Sequence, residues 1–394
     1  MNRPHSYKAP ASLDRLGTLG LGVGVLGAVA LAVGYFTAHD QFFRSYLVGW
    51  VLWTGVALGS LAFAMINHLT GGGWGIAARR IFEASSRTLP LLAILFVPIA
   101  LGIHSLYHWS HADAVAKDPL LQHKAAYLNT PGFLIRTAIF FLIWIVISQL
   151  LSKWSAAQDD APSLGLIAKM KKVSAAGLLL LGITATLASV DWVMSTDPHY
   201  YSSIYGIWLL GGFGLSAMAF TILIVRHLAD REPMDHVFTK VHFHDYGKLL
   251  FAFTMLWTYF SLSQFLITWS GNIPEEAIWY QNRITGGWQY VGIALAVFHW
   301  AFPFLLLLSR ERKRNVHRLA LVAGWLLIMR AVDLYWHIAP NYSKGVFKLH
   351  WLDVAAPLAI GGLFLAFFVR ELKKRSLVPV NDPYLEEALA HGGH

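Results

Sequence analysis

Ten long apolar runs are the feature of this sequence that most limits what it can fold into. A bilayer core of about 30 Å needs about 20 apolar residues per helix. With 56% hydrophobic and 13% charged residues, the chain has more apolar surface than a water-soluble fold of its size could bury. We therefore predict an all-α polytopic membrane protein. Its ten transmembrane helices are expected at 17–37, 46–66, 88–109, 132–151, 173–194, 204–225, 246–269, 289–309, 318–338 and 352–369.

The distribution of Lys and Arg predicts how these helices are oriented. Of the 31 basic residues, 22 fall in the two termini and in alternate loops, whereas six fall in the opposite loops. Because basic residues concentrate on the cytoplasmic side of membrane proteins, we expect both termini to be cytoplasmic. Membrane orientation also explains the formal charge of +9, so a nucleic-acid partner is not needed.

The absence of cysteine narrows the chemistry that this chain can perform by itself. It excludes disulfides, thiolate metal sites, iron–sulfur ligation and covalently attached c-type haem. The His-Glu-x-x-His, P-loop and nucleophile-elbow motifs are also missing. No two predicted helices carry the repeated, depth-matched histidines that a haem b would require. We therefore predict no metal site and no redox cofactor within the chain.

A repeated pattern divides the helices into groups. It predicts two parallel four-helix bundle repeats, helices 2–5 and 6–9, with helices 1 and 10 at the periphery. The alternative is chance similarity between apolar helices with basic ends. The predicted regions are 1–45 (cytoplasmic N-terminus and first helix), 46–194 (first repeat), 204–338 (second repeat) and 339–394 (tenth helix and cytoplasmic tail). At an offset of 142 positions, Lys171-Lys172, Gly182 and Val190-Asp191 match Lys313-Arg314, Gly324 and Val332-Asp333, and at an offset of 159, Gly55 and His68-Leu69 match Gly214 and His227-Leu228.

The first apolar run contains a string of glycines that superficially resembles a dinucleotide-binding fingerprint. The string lies inside an apolar helix and does not follow a strand, which argues against nucleotide binding. Small residues four apart instead allow two helices in a membrane to approach closely. We therefore expect Gly20, Gly24 and Ala28 to pack against another helix.

Ionisable side chains in the apolar runs are costly in lipid, and each is a candidate functional residue. The first group lies toward the predicted outer face, with His299 at mid-depth, and could form a proton path or a quinol site. The second group lies toward the cytoplasmic face, where it could take up protons. The first group is His104, Arg136, Asp191, His299, Arg330, Asp333 and His337; the second is His68, His242, His244, Asp245 and Lys248.

Several of these residues also have a purely structural interpretation. Arg330 and Asp333 are three positions apart and could simply neutralise one another. The cytoplasmic-side residues His242, His244 and Lys248 could contact lipid headgroups. The last case is a predicted helical stripe of three histidines, the second and third of which could belong to an interfacial aromatic belt. It consists of His104, His108 and His111.

Three kinds of membrane chemistry would use this layout. Quinol oxidation needs an apolar cleft and a nearby base that accepts the hydroxyl protons. A proton channel or a cation-coupled carrier would use the same residue types. Because the ionisable groups divide between two depths, with His299 between them, the sequence favours a proton path over a quinol pocket in this chain.

Two segments carry a family resemblance. They are SVDWVMSTDPHYYSSIYG at 189–206, and WTY at 257–259 followed by QFLITWSGNIPEE at 264–276. These segments resemble the ActF subunit family of bacterial alternative complex III, which is related to the NrfD/PsrC-like membrane proteins. The resemblance extends over almost the whole chain, including the ten helices and paired bundles. Asp191 lies in the matched segment, whereas Asp333 and His337 enter only through the internal repeat and their spacing.

The resemblance implies an integral membrane subunit of a respiratory or photosynthetic quinol:cytochrome c (or other acceptor) oxidoreductase in the bacterial cytoplasmic membrane. The implied partners are a related ten-helix NrfD-like membrane subunit, iron–sulfur and c-type cytochrome subunits, and membrane lipids. Menaquinone or ubiquinone would act at the level of the complex, and haem c and iron–sulfur clusters would belong to partner subunits. The chain itself would contribute a proton path coupled to quinol oxidation. The alternatives are a direct quinol-binding subunit, an independent proton-coupled transporter and a structural membrane anchor.

Overall fold

The computed structural model describes residues 7–343 and 345–390. Within them, ten helices are long and apolar enough to cross a membrane and no residue forms a β-strand, which confirms the predicted fold class. The chain is thus a multi-pass integral membrane protein. Two basic residues used in predicting the orientation, Arg3 and Lys344, lie outside the described residues. The helices are α1 (Ser12–Thr37), α2 (His39–Thr70), α3 (Gly73–Leu101), α4 (Thr130–Asp160), α5 (Leu164–Thr196), α6 (Tyr205–Leu228), α7 (Lys240–Gly271), α8 (Trp288–Leu308), α9 (Val316–Ile338) and α10 (Leu352–Lys373).

The helices pack as two rings of four. In the first ring α2 contacts α3 and α5, while α4 contacts both α3 and α5; helices α6 to α9 form the second ring in the same way. The rings meet where α2 lies against α6, and these two helices are the most deeply buried of the ten described spans. The parallel repeat and the domain boundaries stay predictions, because packing in rings does not require repeated sequence.

A row of glycines joins α1 to α10, which in turn packs against α2. A Cβ atom on Gly24 would lie 2.8 Å from the backbone nitrogen of Leu363, and one on Gly20 would lie 3.1 Å from the carbonyl oxygen of Gly362. A larger side chain would therefore separate the two helices. This confirms that Gly20 and Gly24 serve helix packing.

The third helix begins at Gly73 and not at residue 88, so the prediction was wrong at this end. Three arginines that the sequence assigns to a loop lie within this span, two in its first helical segment and one in the turn that follows, and all are at most 5% exposed. The hydropathy pattern missed them because their burial depends on carboxylates, two of which lie near the other end of the chain. The pairs are Arg79 with Asp382, Arg80 with Glu83 and Asp159, and Arg87 with Glu371.

The same helix also ends earlier than predicted. Helical structure is interrupted at Gly102, after a turn in which Pro98 lacks a backbone N–H. The chain beyond it forms only short turns, and His108 lies in a 3-10 turn. Consequently His104, His108 and His111 do not form the predicted helical stripe.

Two further elements position the candidate site. A short helix, Pro274–Ile284, connects α7 to α8. Within α8, Leu295–Ala301 forms a π-helical segment, in which a turn holds more residues than an α-helical turn. At the opposite end of the molecule, the helix Leu385–Ala390 packs against the start of α3.

Candidate functional site

A cluster of buried ionisable groups is centred on Asp333 in α9. Spacings of three and four place Arg330, Asp333 and His337 on one face of the helix, and each is at most 1% exposed. Arg330 forms an ion pair with Asp333 through Oδ2, which also accepts a 3.2 Å hydrogen bond from the indole nitrogen of Trp257. The pairing of Arg330 with Asp333, one of the two interpretations from sequence, is thus present.

The other oxygen of Asp333 lacks a hydrogen-bond partner. Oδ1 lies 3.8 Å from Nε2 of His337, too far for a direct hydrogen bond, and neither atom has a partner among the described residues. The opposite ring nitrogen of His337, Nδ1, is 3.1 Å from the hydroxyl of Tyr205. Because buried polar atoms are nearly always satisfied, the gap between Oδ1 and Nε2 is suited to a bridging hydroxyl.

An apolar cleft of about 510 Å³ reaches this cluster, and Asp333 is one of the residues that line it. Helices α6, α7, α8 and α9 and the helix Pro274–Ile284 form its walls. Three lining side chains, Leu262, Phe265 and Ile293, are also exposed on the surface of the membrane-spanning region. The cleft therefore combines an apolar wall, a lipid-facing rim and a carboxylate.

Arg283 lines one side of the cleft, although from sequence it is only one of the six basic residues of the outer loops. It is fully buried; its guanidinium lies 3.4 Å from the ring centre of Trp279 and donates to the carbonyls of Trp336 (3.1 Å) and His337 (2.6 Å). Burial lowers the pKa of Arg283 to about 10, which leaves the side chain protonated at neutral pH. The sequence contains one signal for this contact. Trp279 precedes Arg283 by four residues, and this spacing places both side chains on one face of a helix.

His299 joins the cluster from α8. The π-helical segment presents its ring to Trp257, with 3.9 Å between the ring centres, and both ring nitrogens are buried without hydrogen-bond partners. The structure therefore brings together four residues predicted from sequence. They are His299, Arg330, Asp333 and His337.

Asp191 lies in the other ring of helices and has a different environment. Arg136 donates to both of its carboxylate oxygens, at 2.8 Å and 3.2 Å, and the Arg136 guanidinium lies 3.8 Å from the ring centre of Tyr127. Asp191 is not among the residues that line the apolar cleft. This arrangement is a satisfied structural ion pair, in contrast to the half-satisfied Asp333.

The remaining candidates lie away from both aspartates. His104 is exposed and bonds to Ser110 at 3.0 Å. On the predicted cytoplasmic side, His242 caps α7 through Thr239, while Lys248 pairs with Asp245 at 2.7 Å. The adjacent His244 lies in the first turn of α7, and His68 instead lines a cavity at the end of α2.

The described residues contain no group of three or more His, Asp or Glu side chains placed to hold a metal ion. No model of a known protein family matches the chain, and no curated protein matches it in sequence.

Proposed function

We propose that this chain is a membrane subunit of a quinol:electron-acceptor oxidoreductase and that it binds quinol in the cleft beside Asp333. The observation that carries the proposal is that Asp333 lines an apolar cleft and has a buried, unpartnered Oδ1 that lies 3.8 Å from the unpartnered Nε2 of His337. This arrangement favours direct quinol binding, which is one of the alternatives left open by the sequence. The bound quinol would then be the source of the protons that enter the path.

The cleft has the properties that a quinol headgroup needs. Its volume of about 510 Å³ falls within the usual range for small-molecule sites. Aromatic side chains such as Trp208 and Trp336 can contact the ring, and the lipid-facing rim at Phe265 and Ile293 lets an isoprenoid tail stay in the bilayer. The few polar groups, Asp333 among them, would orient the hydroxyls.

Oxidation of one quinol releases two protons and two electrons. A quinol hydroxyl that binds beside Asp333 would give its proton to Oδ1 of the carboxylate, with Arg330 as the fixed counter-charge. That proton would pass from Oδ1 to Nε2 of His337, whose Nδ1 lies 3.1 Å from the Tyr205 hydroxyl, and the freed carboxylate would accept the second proton. The electrons would pass to an iron–sulfur cluster or c-type haem held by a partner subunit.

In this function, the chain would lie in the bacterial cytoplasmic membrane with both termini in the cytoplasm. Its proposed partners are a related ten-helix NrfD-like subunit and iron–sulfur and c-type cytochrome subunits. Purification from native membranes provides a direct test, because haem absorbance and an iron–sulfur protein should accompany the chain. Purification of an active, independent transporter without them would contradict the proposal.

Photolabelling tests the cleft itself. A photoreactive quinone analogue, irradiated with the intact complex, should attach to residues that line the cleft. Ala296→Trp fills the cleft, whereas Val297→Trp introduces the same side chain at the next position, which does not line it. We expect the first variant alone to lose labelling and to raise the KM for quinol. Labelling confined to another subunit, or labelling that Ala296→Trp leaves unchanged, would contradict quinol binding here.

A further inference from the structure

A second cavity, of about 310 Å³, lies at the opposite end of the helices from the quinol cleft. It is formed where the turn between α2 and α3 meets α5 and the C-terminal segment around Asp382. We call it the glycine-turn cavity, after Gly71, Gly72 and Gly73. Its lining is rich in polar groups, unlike that of the quinol cleft.

The backbone of the turn borders the cavity. Gly71 and Gly72 have φ angles of +69° and +93°, which favour glycine, and a Cβ atom on Gly71 would meet nothing within 4 Å. The first helical segment of α3 begins at Gly73, runs for 14 residues and has no side chain capping its N-terminus. Uncapped N–H groups and the helix dipole at such an end attract anions.

The side chains around the cavity also favour an anionic ligand. His68 is 6% exposed, and its Nε2 is buried without a hydrogen-bond partner. Arg79 uses Nε to bond Asn67 at 2.9 Å and Nη1 to pair with Asp382. Lys171 is half-buried and forms no ion pair with a described residue.

We propose that the glycine-turn cavity binds a phosphoryl group, carried either by an anionic lipid headgroup or by a soluble phosphate. Asp382 offsets part of the charge on Arg79. Lys171, the unpartnered nitrogen of His68 and the start of α3 are therefore the groups that hold the anion. Phosphate oxygens accept hydrogen bonds from all three donor types.

Two binding measurements distinguish the sources of the phosphoryl group. Native mass spectrometry of the purified full-length protein with its accompanying subunits compares dioleoylphosphatidylglycerol with dioleoylglycerol, which has the same acyl chains and no phosphate. Equilibrium dialysis of the same sample measures inorganic phosphate. Lys171→Gln removes one charge at the cavity, and Lys172→Gln removes one from an exposed neighbour that does not line it.

Lys171→Gln should weaken binding about tenfold, because a charge-assisted hydrogen bond is lost, while Lys172→Gln should have little effect. His68→Phe, with an unchanged unfolding midpoint, should weaken binding in the same assay. If these variants weaken binding of the lipid alone, the cavity is a headgroup site. If they weaken binding of inorganic phosphate alone, the ligand is a soluble phosphate, and weaker binding of both supports either source. Failure of both probes to bind, equal losses in the two lysine variants, or full binding in Lys171→Gln and His68→Phe would overturn the proposal.

Discussion

The guanidinium of Arg283 donates a 2.6 Å hydrogen bond to the backbone carbonyl of His337. Arg283 belongs to the connection between α7 and α8, whereas His337 lies in the last turn of α9. The connection therefore holds the end of the helix that carries the candidate proton acceptors. A further 2.8 Å bond from Arg283 to Asn341 extends this contact beyond the helix.

Arg283→Gln should destabilise the protein by about 2–4 kcal/mol, because several buried carbonyls lose their donor. Unfolding in detergent measures the change. The matched control is Arg226→Gln, which removes an exposed pair with Asp230 and should cost less than about 0.5 kcal/mol. Equal destabilisation by the two substitutions would show that the buried contacts of Arg283 contribute little.

Asp333→Asn should lower quinol turnover by about 10²–10⁴-fold per assembled complex, because the amide keeps the shape but accepts no proton. Asp191→Asn is the comparison in the other ring. It breaks the pair with Arg136 and should reduce stability or yield, while the complexes that assemble keep nearly normal turnover. Normal turnover in Asp333→Asn would rule out its role as proton acceptor.

Gly24→Ala and Gly22→Ala should have opposite effects on stability. The new methyl group at position 24 would collide with Leu363, so we expect a loss of about 1–3 kcal/mol and easier proteolysis around α1. Position 22 has nothing within 4 Å, so alanine there should stabilise the helix by up to about 1 kcal/mol. The unfolding midpoints of the two variants measure these effects. A shift of the midpoint in the same direction in both variants would contradict the proposed packing.

A reporter fused after His394 tests the orientation. An enzyme active only in the cytoplasm should work at this position, and one active only in the periplasm should be silent, because 22 basic residues lie on the predicted cytoplasmic side and six on the other. The reverse result would invert the membrane orientation. The quinol cleft would then lie nearer the cytoplasmic side of the membrane.

The sequence predicted all ten spanning helices because lipid demands long apolar runs. It misplaced both ends of α3 for two different reasons. At one end, buried arginines such as Arg79 look like loop residues until their partner Asp382 is brought close by folding. At the other, spacing alone could not reveal that the helix is interrupted at Gly102.

For the candidate site, the sequence identified the ionisable residues that are costly to place in lipid whatever side chains surround them. Asp333 and His337 were recognised in this way, and their spacing of four gave the correct relative position. The unpartnered state of Oδ1 and the adjoining cleft depend on four other segments, so no local pattern encodes them. The same holds for Arg283, whose burial depends on the end of α9.

The π-helical segment of α8 has a consequence for how that helix would tolerate insertions and deletions. Its buried positions Leu295, His299, Pro303 and Leu307 follow one another at intervals of four. In a regular α-helix, each such step would turn about 40° further around the axis, and the series would spiral away from the bundle. The wider turn of the π-helical segment compensates for much of this rotation. Deleting one residue between 295 and 301 would restore ordinary winding and leave the faces before and after the segment in register, whereas deleting one residue from a regularly wound part of α8 would turn the two parts by about 100° relative to one another.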